Sequence, residues 1–170
     1  MTEKSDTHSE KHKRTEERAG KYLTFALENE AYGIQIMKVK EIIGMMAITS
    51  VPRTDMYVKG VINLRGRVIP VIDLRLKFGM QAADYSERTC IIVVEIEEGG
   101  AVIPIGLVVD AVSEVNHIKA DEIEDTPAFG ASVDTDYILG MAKKEDGVKI
   151  LLDINRVLRT EELARVRDAA

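Results

Sequence analysis

The sequence predicts an all-β protein with short helices, built from two copies of one small barrel. Three observations carry this. Apolar runs of strand length, punctuated by turn residues, recur along the 170-residue chain. A ten-residue string near the start returns without a gap past the middle. A spaced pattern of two glycines and an aspartate then repeats in the same order.

The chain opens on a polar tail. Residues 1–20 hold five acids, five bases and two of the three histidines, with only Met1 and Ala19 apolar. Such a stretch buries too little apolar surface to offset the entropy of ordering, so disorder is expected over 1–20. His8 and His12 share the i, i+4 spacing of a helical metal clip, but in so polar a tail they read as solvated and unliganded.

Order is expected from Lys21. Residues 22–27 and 31–36 form two strand-like runs around Glu28-Asn29-Glu30, a hairpin signal. Residues 37–43 fit one turn of helix passing into a strand that runs to Ile48, and Val51-Pro52 ends it. Residues 45–48, Met-Met-Ala-Ile, suit either core filling or a protein contact.

Two runs, 61–64 and 68–72, then flank Arg65-Gly66-Arg67. They read as paired strands, with Gly66 supplying the positive φ of a tight turn. Apolar positions fill both faces of the second run, the pattern of a strand covered on both sides. Asp73 caps a short helix over 74–78, and Gly79 closes it. Residues 81–88 form a polar linker.

From Thr89 the pattern restarts. Runs 90–96 and 101–109 pair around Glu97-Glu98-Gly99-Gly100, and residues 121–132 read as an irregular excursion. Runs 137–142 and 148–152 form a further hairpin, and Asp153 precedes a short helix over 154–158. Thr160-Glu161-Glu162 marks the start of a final helix, placed at about 161–168.

The repeat organises these elements. Residues 33–42, from Gly33 to Ile42, align on 106–115, from Gly106 to Val115, with Gly, Val and Glu identical and three further aliphatic swaps. Gly60, Gly66 and Asp73 match Gly140, Gly147 and Asp153. The first barrel is placed at about 21–80 and the second at about 89–158, with roughly five strands each. Barrels of this size are marginal alone, so the two should pack together and leave a groove between them.

Chemistry is sparse. The sequence lacks a glycine-rich phosphate loop, a His-Glu-x-x-His motif and a Cys-x-x-Cys motif. His117 reads as a surface or core histidine, and the lone Cys90 as a small buried side chain in an apolar run. Glu41 and Glu114 sit at equivalent repeat positions, which favours presentation on a surface over an asymmetric acid/base pair. An enzyme, a metal site and a cofactor site are not expected. The net charge of −6 disfavours a nucleic-acid binder, the alternative that a small barrel invites. No apolar stretch approaches the ~18 residues of a membrane span, and nothing resembles a signal peptide.

The string from Tyr57 to Gly66, continuing through Val68-Ile69-Pro70-Val71-Ile72-Asp73-Leu74, closely resembles the signature of the CheW-like chemotaxis coupling family. Tyr32-Gly33-Ile34 with Val39-Lys40-Glu41-Ile42, and Leu107-Val108-Val109-Asp110 with Val112-Ser113, match the family in the same order. The resemblance spans about residues 21–165. It implies two intertwined SH3-like five-stranded barrels in one CheW-like domain, and a non-enzymatic adaptor linking the cytoplasmic tips of methyl-accepting chemoreceptors to the histidine kinase CheA.

A cytoplasmic protein held at the inner face of the membrane through receptor arrays is implied in turn, as is service in a sister chemosensory pathway as the alternative. The resemblance places receptor contact at Val39, Glu41, Gly60, Asn63, Arg65 and Val112. In this reading the valines give apolar area, Arg65 a charge-assisted hydrogen bond, and Gly60 room for close backbone approach. Plainer roles stand beside these: core for the valines and a backbone hinge for Gly60. The kinase face is expected on the first barrel, with no residue assigned.

Overall fold

The computed structural model describes residues 17–129, 135–145 and 147–158. Among these residues, eleven strands form two sheets. Their order along the chain is β1 (Gly20–Leu27), β2 (Glu30–Gln35), β3 (Val39–Gly44), β4 (Val58–Leu64), β5 (Arg67–Asp73), β6 (Cys90–Glu98), β7 (Ala101–Val109), β8 (Ala111–Ile118), β9 (Ile123–Glu124), β10 (Ile138–Lys144) and β11 (Gly147–Leu152). Two single-turn helices, α1 (Leu74–Lys77) and α2 (Ile154–Val157), follow β5 and β11. Both are capped as the sequence predicts: Asp73 accepts from the Leu76 N–H and Asp153 from the Asn155 N–H. No helix among the described residues is long and apolar enough to cross a membrane.

Strand order reveals how the two repeats are joined. One sheet runs β3-β6-β7-β5-β4 and the other β8-β1-β2-β11-β10-β9. The β1–β2 hairpin of the first half therefore lies between strands of the second half, and the β6–β7 hairpin of the second half lies in the first. The repeats placed at about 21–80 and 89–158 therefore exchange one hairpin each, which makes the barrels intertwined, as the family resemblance implies. Each barrel is completed by a hairpin from the other repeat, held by the parallel pairings of β5 with β7 and of β11 with β2. We refer to the barrel of β3–β7 as central and to the other as terminal.

Closure follows the repeat too. Residue Thr49 forms an antiparallel bridge to Val61 in β4, and β9 pairs with β10 at Met141 and Ala142. The excursion expected over 121–132 thus contains the strand that closes the terminal barrel, which makes that sheet six-stranded.

Three apolar clusters fill the structure. Ile62, Ile69, Val71, Ile91, Val93 and Val108 fill the central barrel. Tyr22, Ile118, Ile123, Ala142 and Leu151 fill the terminal one. A larger cluster joins the barrels, including Leu23, Phe25, Ile34, Ile92, Val94, Leu107 and Leu152. Along β6 the side chains alternate, Ile91 and Val93 into the barrel, Ile92 and Val94 onto its neighbour. That double burial explains the unbroken apolar run, which a half-exposed strand would not show. In β5, by contrast, Val68 is 63% exposed, so its outer end is not covered on both faces. Met45 and Ile48 pack, partly buried, against the central interior while Met46 and Ala47 stay exposed, so the Met-Met-Ala-Ile segment is divided between core and surface.

At the N-terminal boundary, residues 17–20 belong to the folded part rather than to a tail. Arg18 is buried, its guanidinium bonds Asp125 at 2.8 Å, and the Tyr22 hydroxyl donates to the Arg18 carbonyl at 2.6 Å. An arginine with its apolar stem packed and its charge paired can be ordered where composition alone reads as tail. Residues 1–16, with His8 and His12, and the helix expected at 161–168 lie outside the described residues.

One ion pair locks the two halves. Arg75 of α1 forks onto Asp110, between β7 and β8, at 2.7 and 2.6 Å, and Asp110 also accepts from the Glu28 N–H at 2.8 Å. Burial works against the Asp110 carboxylate, but these donors outweigh it and hold its pKa below the usual range. A depressed carboxylate pKa adds stability above the unfolded value, about pH 4, which is lost as pH falls through the folded value. Asp110→Asn should therefore cost about 2 kcal/mol near neutrality and progressively less on acidification. Urea denaturation of both proteins from neutral pH downward checks this; a pH-independent difference would contradict it.

Candidate functional site

The edge strands β3 and β8 are repeat equivalents, and each carries the same irregularity. Val39 pairs with Val94 and Glu41 with Val93, so Lys40 is an extra, bulged residue. Val112 pairs with Phe25 and Glu114 with Thr24, so Ser113 bulges in the same place. A bulge re-aims the side chains that follow it. Here it leaves Val39 and Ile42 on the side of β3 that faces the other barrel, next to Val94 and Ile92, and Val112 and Val115 on the matching side of β8.

Val39 and Val112 are half-buried against the inter-barrel cluster, so each is part core and part surface. Ile42 is 45% exposed and Val115 51% exposed, although both sit among apolar neighbours. These two extend the apolar strip beyond the residues expected from sequence. The signal for them was present: they are the aliphatic pair that ends the aligned ten-residue repeat. The strips converge at Cys90, which pairs across from Gly44 at the end of β3 and whose thiol is hydrogen-bonded by the Val112 backbone. Burial pushes the Cys90 thiol pKa up, consistent with an inert packing role. His117 is exposed on β8.

The β4–β5 turn stands at the mouth of the central barrel. Arg65 has φ 52° and Gly66 φ 85°, so both turn residues are left-handed, the backbone of a type I′ hairpin. The sequence predicted this geometry for Gly66 alone. Asn63 holds the turn closed, its side-chain oxygen accepting from the Gly66 N–H at 2.8 Å. Across the barrel mouth the Arg65 guanidinium forms an ion pair with Glu41 of β3. Two residues far apart in the chain are thereby joined, and the side chain of Arg65 remains 67% exposed. Lys40, Leu64, Arg67, Ile69, Val93 and Pro104 complete a depression of about 190 Å³ around them.

Gly60 has a backbone role within the barrel itself. It is buried with φ 140°, and a Cβ there would overlap the Thr49 carbonyl oxygen. The close approach it permits is that of the chain's own Thr49–Val61 bridge, with mutual N–H···O bonds of 2.9 Å. It thereby serves barrel closure.

Two apolar strips on bulged edge strands thus lie beside a charged turn preset by an internal carboxylate. Interlocked barrels with such an exterior define a docking scaffold. A family model described as CheW-like domain matches residues 21–162. Over 149 residues the chain is 41% identical to the chemotaxis protein CheW of Klebsiella aerogenes, covering 88% of this chain and 87% of that protein. It is 34% identical to the chemotaxis protein CheW of Bacillus subtilis, covering 83% and 88%. The crystal structure of the scaffolding protein TtCheW from Thermoanaerobacter tengcongensis superimposes with a TM-score of 0.73 at 37% identity, covering 85% of this chain and 95% of that one. The chain belongs to the CheW-like family.

Proposed function

We propose that this chain is a coupling adaptor of bacterial chemotaxis, joining the cytoplasmic tips of chemoreceptors to the histidine kinase CheA without catalysing a reaction of its own. The observation that carries the reading is the pair of repeat-related apolar strips, Val39 with Ile42 and Val112 with Val115, left half-covered where the barrels meet. An amphipathic helix presents apolar side chains along one face and buries them in a groove of this kind. The helical hairpin of a receptor tip is such a ligand. Glu41 and Arg65 then add a charge-assisted contact at the rim, and the Asn63 amide nitrogen is free of the turn bond its oxygen makes. In this reading the protein reaches the inner face of the membrane only through its receptors.

Aspartate at Ile42 or Val115 places a charge in the strip without removing a core side chain. Each substitution should weaken binding to a receptor cytoplasmic fragment by about tenfold or more, the scale of one buried aliphatic side chain. Far-ultraviolet circular dichroism should stay unchanged. Unaltered affinity in both folded variants would place the receptor elsewhere.

A further inference from the structure

The repeat allows a comparison within one molecule. Glu41 and Glu114 occupy the same position after equivalent bulges. The turns correspond as well, because Leu64 pairs with Arg67 across Arg65-Gly66 and Lys144 pairs with Gly147 across two residues, which sets Gly147 against Arg67 and not against Gly66, the match that the glycine spacing predicts. Glu145 therefore stands in the terminal barrel where Arg65 stands in the central one. The central mouth is filled from within, by Arg65 on Glu41 above Leu64 and Ile69. In the terminal barrel the counterparts of Leu64 and Ile69 are Lys144 and Lys149, and the mouth opens into a cleft of about 670 Å³.

Cations of that cleft are already engaged. Lys144 bonds Glu122 at 3.1 Å, Lys143 bonds Glu124 at 2.7 Å, and Lys149 donates to Asn116 at 2.7 Å. Glu114, in contrast, has no hydrogen-bond or ion-pair partner among the described residues, although its twin Glu41 holds an arginine. Val148, 48% exposed, and Ala31 supply apolar lining beside it.

We propose that the mouth of the terminal barrel is a docking socket for an arginine side chain of a partner protein, received by Glu114 and Glu145 as Arg65 is received by Glu41. The planar guanidinium forks onto carboxylate oxygens, and its aliphatic stem lies against Val148. A compact ammonium gains less because it has no planar fork to match the carboxylate oxygens, while the neighbouring lysines act on either cation alike. Glu114 pairs with Thr24, a position facing into the terminal barrel, whereas Val115 pairs with Leu23 on the inter-barrel side. The socket therefore lies on the opposite face of β8 from the proposed receptor strip and stands independently of that reading.

The test is a nuclear magnetic resonance titration of the isotope-labelled full chain with blocked arginine amide, beside the lysine and citrulline analogues. Arginine should shift the amides of residues 114–116 and 143–149 saturably, with the lysine response weaker and the citrulline response absent. Glu114→Gln should weaken the arginine response by about fivefold, the scale of one charge-assisted hydrogen bond. Glu145→Arg should abolish it by filling the mouth from within, with the rest of the spectrum unchanged in both variants. Equal shifts with lysine, shifts scattered over the surface, or an unaltered response in Glu114→Gln would overturn the proposal.

Discussion

Gly60→Ala is expected to destabilise the fold by about 3 kcal/mol or more, a large fraction of the total stability of a domain. Two costs combine. A Cβ would overlap the Thr49 carbonyl oxygen and lie 2.7 Å from its carbonyl carbon, atoms of a backbone fixed by the Thr49–Val61 bridge. The φ of 140° is also one that side chains other than glycine's rarely adopt. Relief would require Thr49 to leave β4, which reopens the central barrel. Gly66→Ala provides the control, because its φ is 85° but nothing lies within 4 Å of the added atom. It should cost only about 1 kcal/mol, the backbone part alone. Guanidinium denaturation of the two variants separates the cases, and equal losses would contradict the closure role.

Arg65→Glu should weaken receptor-fragment binding by about tenfold or more while changing stability by less than about 1 kcal/mol. The ion pair with Glu41 is a rim interaction with a largely solvated guanidinium, so the fold depends on it little. A partner's carboxylate or carbonyl would instead meet arginine desolvated and already aimed. The reversed pair, Glu41→Arg with Arg65→Glu, separates orientation from contact. It restores the internal ion pair but moves the cation from the turn to the strand, so binding should stay weak. Recovery of affinity in the reversed pair would show that Arg65 acts only by closing the mouth.

The strands, their hairpins and the two aspartate caps were legible, because each is written in local signals of alternation, turn residues and capping spacing. The duplication was legible too, through Gly33-to-Ile42 and its copy. The exchange of hairpins between repeats was not legible in these local signals, and only the family resemblance, which implies intertwined barrels, pointed to it. A hairpin signal specifies its two strands but not the sheet they join, and the parallel pairings Val71 with Gly106 and Leu151 with Gly33 link residues far apart in the chain. The same limit hid the pairing of Arg65 with Glu41, which were visible only as separate candidates. For Gly60 the motif was plain while its reason lay in Thr49, a residue that carries no signal of its own. Arg18 escaped because packing of its own side chain and pairing with the exposed Asp125 override a polar composition.

The proposed role requires one chain to join two partners through its surface. It is tested most directly by sedimenting receptor-fragment arrays with the kinase, in the presence and absence of this protein, and following kinase phosphorylation. Kinase should pellet with receptors and gain activity only when the chain is added, and Ile42→Asp should remove both effects. Kinase that pellets and responds equally well without the chain would contradict the claim.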